Sequence, residues 1–378
     1  MVDLYIKNGK SVTGEPLEVA IEEGKITAVG ERLAVEAKEI IDLEHKSFIT
    51  AGWIDDHVHC YEKMNLYYDY PDEIGVPKGV TTVIDAGTTG AENIADFYQI
   101  AKNTKTNVYA LVNISKWGIV EQDELADLKK IKEELIHQVL KKYPDFIVGI
   151  KARMSKTVVG ENDIVPLELA KKIQAKNEHL PLMVHIGSAP PNLKDTLNLM
   201  EQGDVLTHCY NGKENGILDE EKNIKDVVWD AYRRGVLFDI GHGTDSFNFE
   251  VAEIAKKAGL VCETISTDIY HRNRETGPVY DLATTMEKML VIGYSLQEII
   301  PMVTSHPAKA FHLKGKGHLA VGMDGDVTIF NLENKEKLVT DSNGFTRTAT
   351  ECIKPIYAIV GGKKYRAGGE QDGSLRKV

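Results

Sequence analysis

A chain of 378 residues with a formal charge of -12 has no basic stripe to neutralise phosphates, which excludes nucleic acid as its partner. Its 42% hydrophobic and 27% charged residues are the balance of an ordinary globular protein, and no apolar run approaches the roughly 18–20 residues needed to cross a bilayer. The start of the chain has no unbroken apolar segment and the four cysteines form no CxxC pair, so the expected compartment is the cytoplasm.

Residues 1 to about 50 read as short strands and turns. Asp3-Leu4-Tyr5-Ile6-Lys7 runs into a turn at Asn8-Gly9, and Val19-Ala20-Ile21 passes through Glu22-Glu23-Gly24-Lys25 into Ile26-Thr27-Ala28-Val29. The middle alternates β-rich apolar runs with amphipathic stretches, the pattern of βα units on a parallel sheet. Eight runs stand out, at 53–59, 81–86, 108–114, 146–151, 182–186, 204–208, 236–240 and 264–268. Helical patterns fill the intervals at 91–105, 124–143, 166–179, 221–234 and 247–258.

Eight strand-helix units that close on themselves form an α/β TIM (β/α)8 barrel, whose reactive groups sit where strands end and loops begin. A doubly wound sheet is the competing architecture, but no GxGxxG opens a helix here. The far end returns to strands and turns, from Gly315-Lys316-Gly317 through Asp326-Val327-Thr328-Ile329-Phe330 to Pro355-Ile356-Tyr357 and Gly361-Gly362. Two β-rich ends imply one small β-sandwich domain of residues 1–50 plus 314–378, with the barrel at 51–313. Two separate appendages are the plainer alternative. The tail from Gly368 to Val378 is expected to be loose.

Candidate ligands fall at the ends of five of the runs. Successive strand residues alternate faces, so His57 and His59 point the same way and can grip one metal ion. Lys151 ends the fourth run, His185 the fifth, His208 the sixth and Asp268 the eighth. A lone strand-end histidine is ordinarily a satisfied structural residue. Six such groups at one barrel mouth point instead to a metal centre, and imidazole with carboxylate suits zinc, with iron, manganese or nickel as alternatives. Lys151 alone reads as a salt-bridging lysine.

Arg153 shares the inward face with Lys151 if the strand continues, and either clamps a substrate carboxylate, steadies an oxyanion, or pairs with a neighbouring acid. His242 is a substrate contact or a loop residue whose flanking glycines supply backbone freedom. Tyr61, Trp117, Arg272 and Arg274 are weaker candidates. Cys60 and Cys209, each following a candidate ligand, read as buried filler.

With these residues in place, the chain resembles the amidohydrolase superfamily in its binuclear dihydroorotase-like branch, over essentially its whole length and including the split β-domain and the approach Phe48-Ile49-Thr50-Ala51-Gly52-Trp53-Ile54-Asp55-Asp56-His57-Val58-His59. The resemblance implies two divalent metal ions, zinc by preference, bridged by an N6-carboxylated Lys151. His57, His59 and Asp268 would hold the first ion, His185 and His208 the second. Two departures narrow the branch. Dihydroorotases and hydantoinases carry HxHxR, where this chain has Tyr61, and adenosine-deaminase relatives need a glutamate where this chain has Ser188.

The segments Gly149-Ile150-Lys151-Ala152-Arg153, Asp239-Ile240-Gly241-His242-Gly243 and Ile265-Ser266-Thr267-Asp268-Ile269 resemble a group of deacetylase-type amidohydrolases. That likeness implies removal of an acetyl or acyl group from a small α-substituted carboxylic acid, as ester or amide, by attack of a metal-bridging hydroxide. Asp268 would act as general acid-base, with Arg153 at the reacting group or the substrate carboxylate and His242 on the substrate. The alternative is a cyclic amidohydrolase of the dihydroorotase kind or an adenine deaminase. A non-catalytic relative would require eroded ligands, and all six are intact. The partners expected are a carboxylate-bearing small molecule and, as an open arrangement, further copies of the chain in a homo-oligomer.

Overall fold

The computed structural model describes residues 1–368 of the protein. Seven parallel strands curl into one sheet: β6 (Trp53–Val58), β7 (Val80–Gly90), β8 (Asn107–Asn113), β9 (Ile147–Met154), β10 (Leu182–Ile186), β11 (Val205–Thr207) and β12 (Leu237–Phe238). These strands are covered on both faces, which is why they read as continuous apolar runs. Ile54, Ile84, Leu111, Met183 and Val205 form a layer plugged by Phe311 and Leu313.

The eighth run closes the barrel without being a regular strand. Parallel bridges join Asp239 to Thr264 and Val58 to Ile269. Between them the Asp268 N–H donates to the His57 carbonyl at 2.7 Å, and the His59 N–H donates to that of Ile269 at 2.9 Å. Asp268 itself has φ +49, a left-handed turn that interrupts extended backbone at the barrel mouth.

Most expected helices form in shortened versions, such as Ile94–Ala101, Val165–Ala175, Asp226–Arg234 and Phe249–Ala258. The expectation for 124–143 fails over its first half, where the helix is only Glu133–Lys142. Upstream, Asp127 caps a single 3-10 turn by accepting from Lys129 N, and Leu125 N donates to Val158 O, so the backbone is committed elsewhere. Glu124 is thereby released from any helix and becomes fully buried.

Both chain ends contribute to a second, mostly antiparallel sheet. It comprises β1 (Val2–Lys10), β2 (Pro16–Glu22), β3 (Lys25–Gly30), β4 (Ala37–Asp42), β5 (Phe48–Ala51), β13 (Val327–Thr340), β14 (Thr346–Val360) and β15 (Lys363–Arg366). The order is β15-β14-β13-β5-β1-β2-β3, with β4 branching from β1. Leu4, Ile6, Val19, Ile21, Ile49, Val327 and Ile359 close around one core. The β13–β14 hairpin outruns this sheet, and its Phe330, Val339, Ala349 and Ile353 pack into the barrel's own core. In the tail, Gly368 is tied by its N–H to the Pro77 carbonyl at 3.0 Å, and residues 369–378 lie outside the described residues. Among the described residues no helix is long and apolar enough to cross a membrane.

Candidate metal centre

The C-terminal halves of the strands and the segments just past them bring His57, His59, Lys151, His185, His208 and Asp268 to one point at the barrel mouth. Asp268 Oδ1 lies 3.1 Å from His59 Nε2 and 3.5 Å from His57 Nε2. Lys151 Nζ is 3.0 Å from His57 Nε2, and His208 Nε2 is 2.7 Å from His185 Nδ1. Ligand atoms of His57, His208 and Asp268 lie within 4.8 Å of one another.

Which nitrogens carry protons follows from the groups behind the rings. The Thr207 hydroxyl donates to Asp239 Oδ2 at 2.7 Å, so toward His57 Nδ1, at 2.8 Å, it can only accept. His57 therefore holds its proton on Nδ1 and turns the Nε2 lone pair inward. The same relay runs from Asp85 through Thr88 to His59, with contacts of 2.7 and 2.8 Å. His208 donates from Nδ1 to the Gly241 carbonyl at 2.6 Å, which again leaves Nε2 as acceptor. Burial keeps the rings neutral: it drives His57 and His185 well below the usual histidine range and His208 down to about 4. Imidazole Nε2 lone pairs of His57, His59 and His208, turned inward by the groups behind the rings and set beside the Asp268 carboxylate, form a donor set that suits a divalent metal ion.

Lys151 is buried, and burial lowers its amine to about 7. Its Nζ meets His57 Nε2 and Met183 Sδ at 3.2 Å, and no carboxylate among the described residues lies within salt-bridge distance. The plain salt-bridge reading of this lysine therefore does not hold. Burial works to raise the Asp268 carboxyl, but the His59 hydrogen bond and the surrounding charges outweigh it and hold the group below its usual range.

A cavity of about 220 Å³ opens over these groups, with His59, His185, Asp268, Arg153, Tyr67 and Tyr270 on its walls. Arg153 Nη1 donates to both carboxylate oxygens of Glu124, at 2.9 and 3.1 Å. Its remaining N–H groups have no protein partner among the described residues. Burial pushes Glu124 up to about 7 although Arg153 draws it down. Tyr67 lies flat enough to take the Arg153 guanidinium 5.7 Å from its ring centre, and its hydroxyl donates to Gln122 at 3.1 Å.

His242, expected on the substrate, does not line this cavity. It is fully buried, stacks on Phe247 with ring centres 4.7 Å apart, and accepts from Lys288 Nζ at 2.7 Å. In this structure His242 is a buried group behind the cavity wall, held by Lys288 and Phe247, and not on the wall itself. Tyr61 and Arg274 are likewise engaged elsewhere, with Asp96 and the buried Asp69, and neither they nor Trp117 and Arg272 line the cavity. Sequence reasoning passed over Glu124, Tyr67, the Thr88 and Thr207 relays, and Lys288. Asp85 and Asp239 did leave a signal, a carboxylate inside an otherwise apolar strand run, since such an acid stays buried only with partners.

Comparison with known proteins agrees with this architecture. Residues 319–366 match the family model of the deacetylase-like composite domain. A deacetylase of Enterococcus faecalis is 64% identical over 364 residues, covering 96% of this chain and 99% of that protein. A crystal structure described as an adenine deaminase superposes with a TM-score of 0.96 at 64% identity, covering 97% of this chain and all of that one. A dihydroorotase crystal structure follows at 0.88 and 32% identity, again over 97% of this chain and 100% of its own. A barrel of this topology, with these relatives along nearly its full length, places the chain in the deacetylase group of the amidohydrolase superfamily, as a hydrolase.

Proposed function

We propose that the protein removes an acetyl or acyl group, from oxygen or nitrogen, of a small α-substituted carboxylic acid. In this reading His57, His59 and Asp268 hold one divalent ion, His185 and His208 a second, and a carboxylated Lys151 both. The observation that carries it is the convergence of fixed imidazole lone pairs, Asp268 and a buried amine beneath a cavity walled by Arg153. Bound there, the ions would supply Lewis acidity toward the acyl carbonyl and acidify a water.

The chain's own groups do the rest. Lys151 is held near the pH at which its amine is neutral, the form that can add CO2 and lose a proton to become a carbamate. Asp268 faces the cavity as a carboxylate, able to take the proton of the attacking water and return it to the departing oxygen or nitrogen. Arg153 offers its unpartnered N–H groups to the substrate carboxylate, held in place by Glu124.

Zinc is the preferred ion from the donor chemistry. Metal analysis should find about two divalent ions per chain. A panel of acetylated hydroxy acids, N-acetyl amino acids, dihydroorotate and adenine tests the substrate. The adenine arm answers to the relative described as an adenine deaminase. Ammonia release from adenine with no deacetylation would overturn the reading.

A further inference from the structure

We infer that the tip of the β13–β14 hairpin positions one wall of the cavity, with Ser342 as the positioning residue. The wall is the loop of residues 241–248, whose Thr244, Asp245 and Ser246 line the cavity. One edge of that loop is held by the closing segment of the barrel: His242 N donates to Ser266 O at 3.2 Å and Gly243 N to Thr267 O at 2.9 Å. The other edge is held by the hairpin. Ser342 N donates to Phe247 O at 2.9 Å, Phe247 N returns a bond to Ser342 Oγ at 3.2 Å, and that hydroxyl reaches the carbonyls of Gly243 and His242 at 3.0 and 3.3 Å.

The contact is built on both sides. Asp341 organises the tip by accepting from Asn343 N and Phe345 N, and its other oxygen accepts from Phe249 N, at the start of helix Phe249–Ala258. Further back the hairpin is clamped by Lys337 to Glu287 at 2.6 Å and by Ile353 N to the same carboxylate at 2.8 Å. The loop has little freedom to adapt. Gly243 sits at φ +56, and a side-chain carbon there would fall 2.5 Å from Asp268 Oδ2. The Gly243 edge is thus fixed against Asp268, and a shift at the Ser342 edge is passed to the three wall residues. The sheet made from both chain ends therefore reaches into the site, and acts through Ser342 on the loop that faces substrate.

The test is the full chain carrying Ser342→Ala, with Ser342→Thr as the variant that keeps the hydroxyl. Amide hydrogen exchange across 241–248 should quicken about fivefold in the alanine variant, the effect of losing one net hydrogen bond. Melting of the whole protein, followed by circular dichroism, should show that both variants are folded. This inference rests on the deacetylase reading only in its kinetic arm. There KM for the acetylated acid should rise by a similar factor, with kcat and bound metal unchanged and the threonine variant restoring wild-type behaviour. Unchanged exchange in the loop would overturn the inference, as would a loss of kcat and metal with KM untouched. Should the wild-type protein deacetylate none of the acids, the substrate reading falls, and the exchange measurement still decides the role of Ser342.

Discussion

His59, at the end of the first barrel strand, and Asp268, on the segment that closes the barrel, meet at 3.1 Å across the seam. The seam is pinned just below them, where Thr267 gives its N–H and hydroxyl to Asp55 at 3.0 and 2.6 Å. Asp268 is thus held by backbone geometry rather than by its own side chain. Asp268→Asn should fold normally yet lack the carboxylate proposed to accept a proton, so turnover should drop by about 10²–10⁴. Turnover within a few-fold of wild type, in a variant shown folded by circular dichroism, would remove Asp268 from the chemistry.

Lys151 supplies a second expectation. Replacing it with Ala should lower both metal occupancy and turnover, because the amine proposed to carry the bridging carbamate is lost. Burial sets the amine at about 7, so it is mostly protonated at pH 6 and mostly neutral at pH 8. Only the neutral amine adds CO2. Metal-depleted protein given metal and bicarbonate should therefore regain activity faster at pH 8 than at pH 6, read as the rate of recovery at a common assay pH. Full activity in a metal-free preparation would contradict the proposed centre.

The barrel is legible because its strands are buried on both faces and its candidate ligands stand in or just past the C-terminal halves of the strands, so periodicity alone aligns His57, Lys151, His185 and His208. The eighth run was recognisable by composition, but the left-handed turn at Asp268 lies in the backbone and leaves no mark in the pattern of apolar residues. Glu124 was hidden for a different reason. Its surroundings have helical spacing, and the partners that hold it buried in a loop, Arg153 above all, are distant in sequence. The burial of His242 leaves no sequence signal, because flanking glycines suit both a loop and a tight approach to ligands, and its partner Lys288 lies on another element. The reach of the hairpin to Ser342 depends on how far two paired strands extend, which strand propensity does not specify.

The two threonine relays predict paired effects. Thr207→Val and Thr88→Val remove the acceptor that fixes the proton on Nδ1 of His57 and His59, so either ring can turn or change tautomer. Metal affinity should fall by about 10–100-fold in each, the usual effect of losing the partner of a ligand imidazole. Thr207→Ser and Thr88→Ser keep the hydroxyl and should bind near wild-type strength. Competition against a chelator of known affinity reads this without any assay of turnover. Valine variants that bind metal as tightly as wild type would show the relays to be packing only.

Arg153 and Glu124 separate recognition from chemistry. Arg153→Met should raise KM for carboxylate-bearing substrates by about 10–100-fold, the worth of a charge-assisted hydrogen bond. A neutral acetyl ester of similar size should be much less affected. Glu124→Gln keeps the shape of the pair but not its charge, and should raise KM less, since Arg153 retains its own N–H groups toward the cavity. Equal losses on charged and neutral substrates would assign Arg153 to structure or to the oxyanion instead.

Lys288 gives a prediction about stability that does not involve metal. It is fully buried in helix Leu282–Ile292, where its Nζ donates to His242 Nε2 at 2.7 Å and to the Pro278 carbonyl at 2.8 Å. Burial lowers its pKa to about 7 from the ordinary 10.5. Between these values the unfolded chain binds a proton at this position that the folded chain does not. Stability must therefore rise with pH across that window, by about 1.4 kcal/mol per pH unit for one such group. Lys151, also near 7, adds a slope of the same sign in metal-depleted protein. Lys288→Met takes one of the two groups away. Chemical denaturation of metal-depleted protein at pH 7, 8 and 9 should give a shallower rise for the variant than for wild type, with the difference accumulating as pH increases. Parallel slopes would mean that Lys288 stays charged inside the protein, with His242 and the Pro278 carbonyl solvating an ammonium ion rather than an amine.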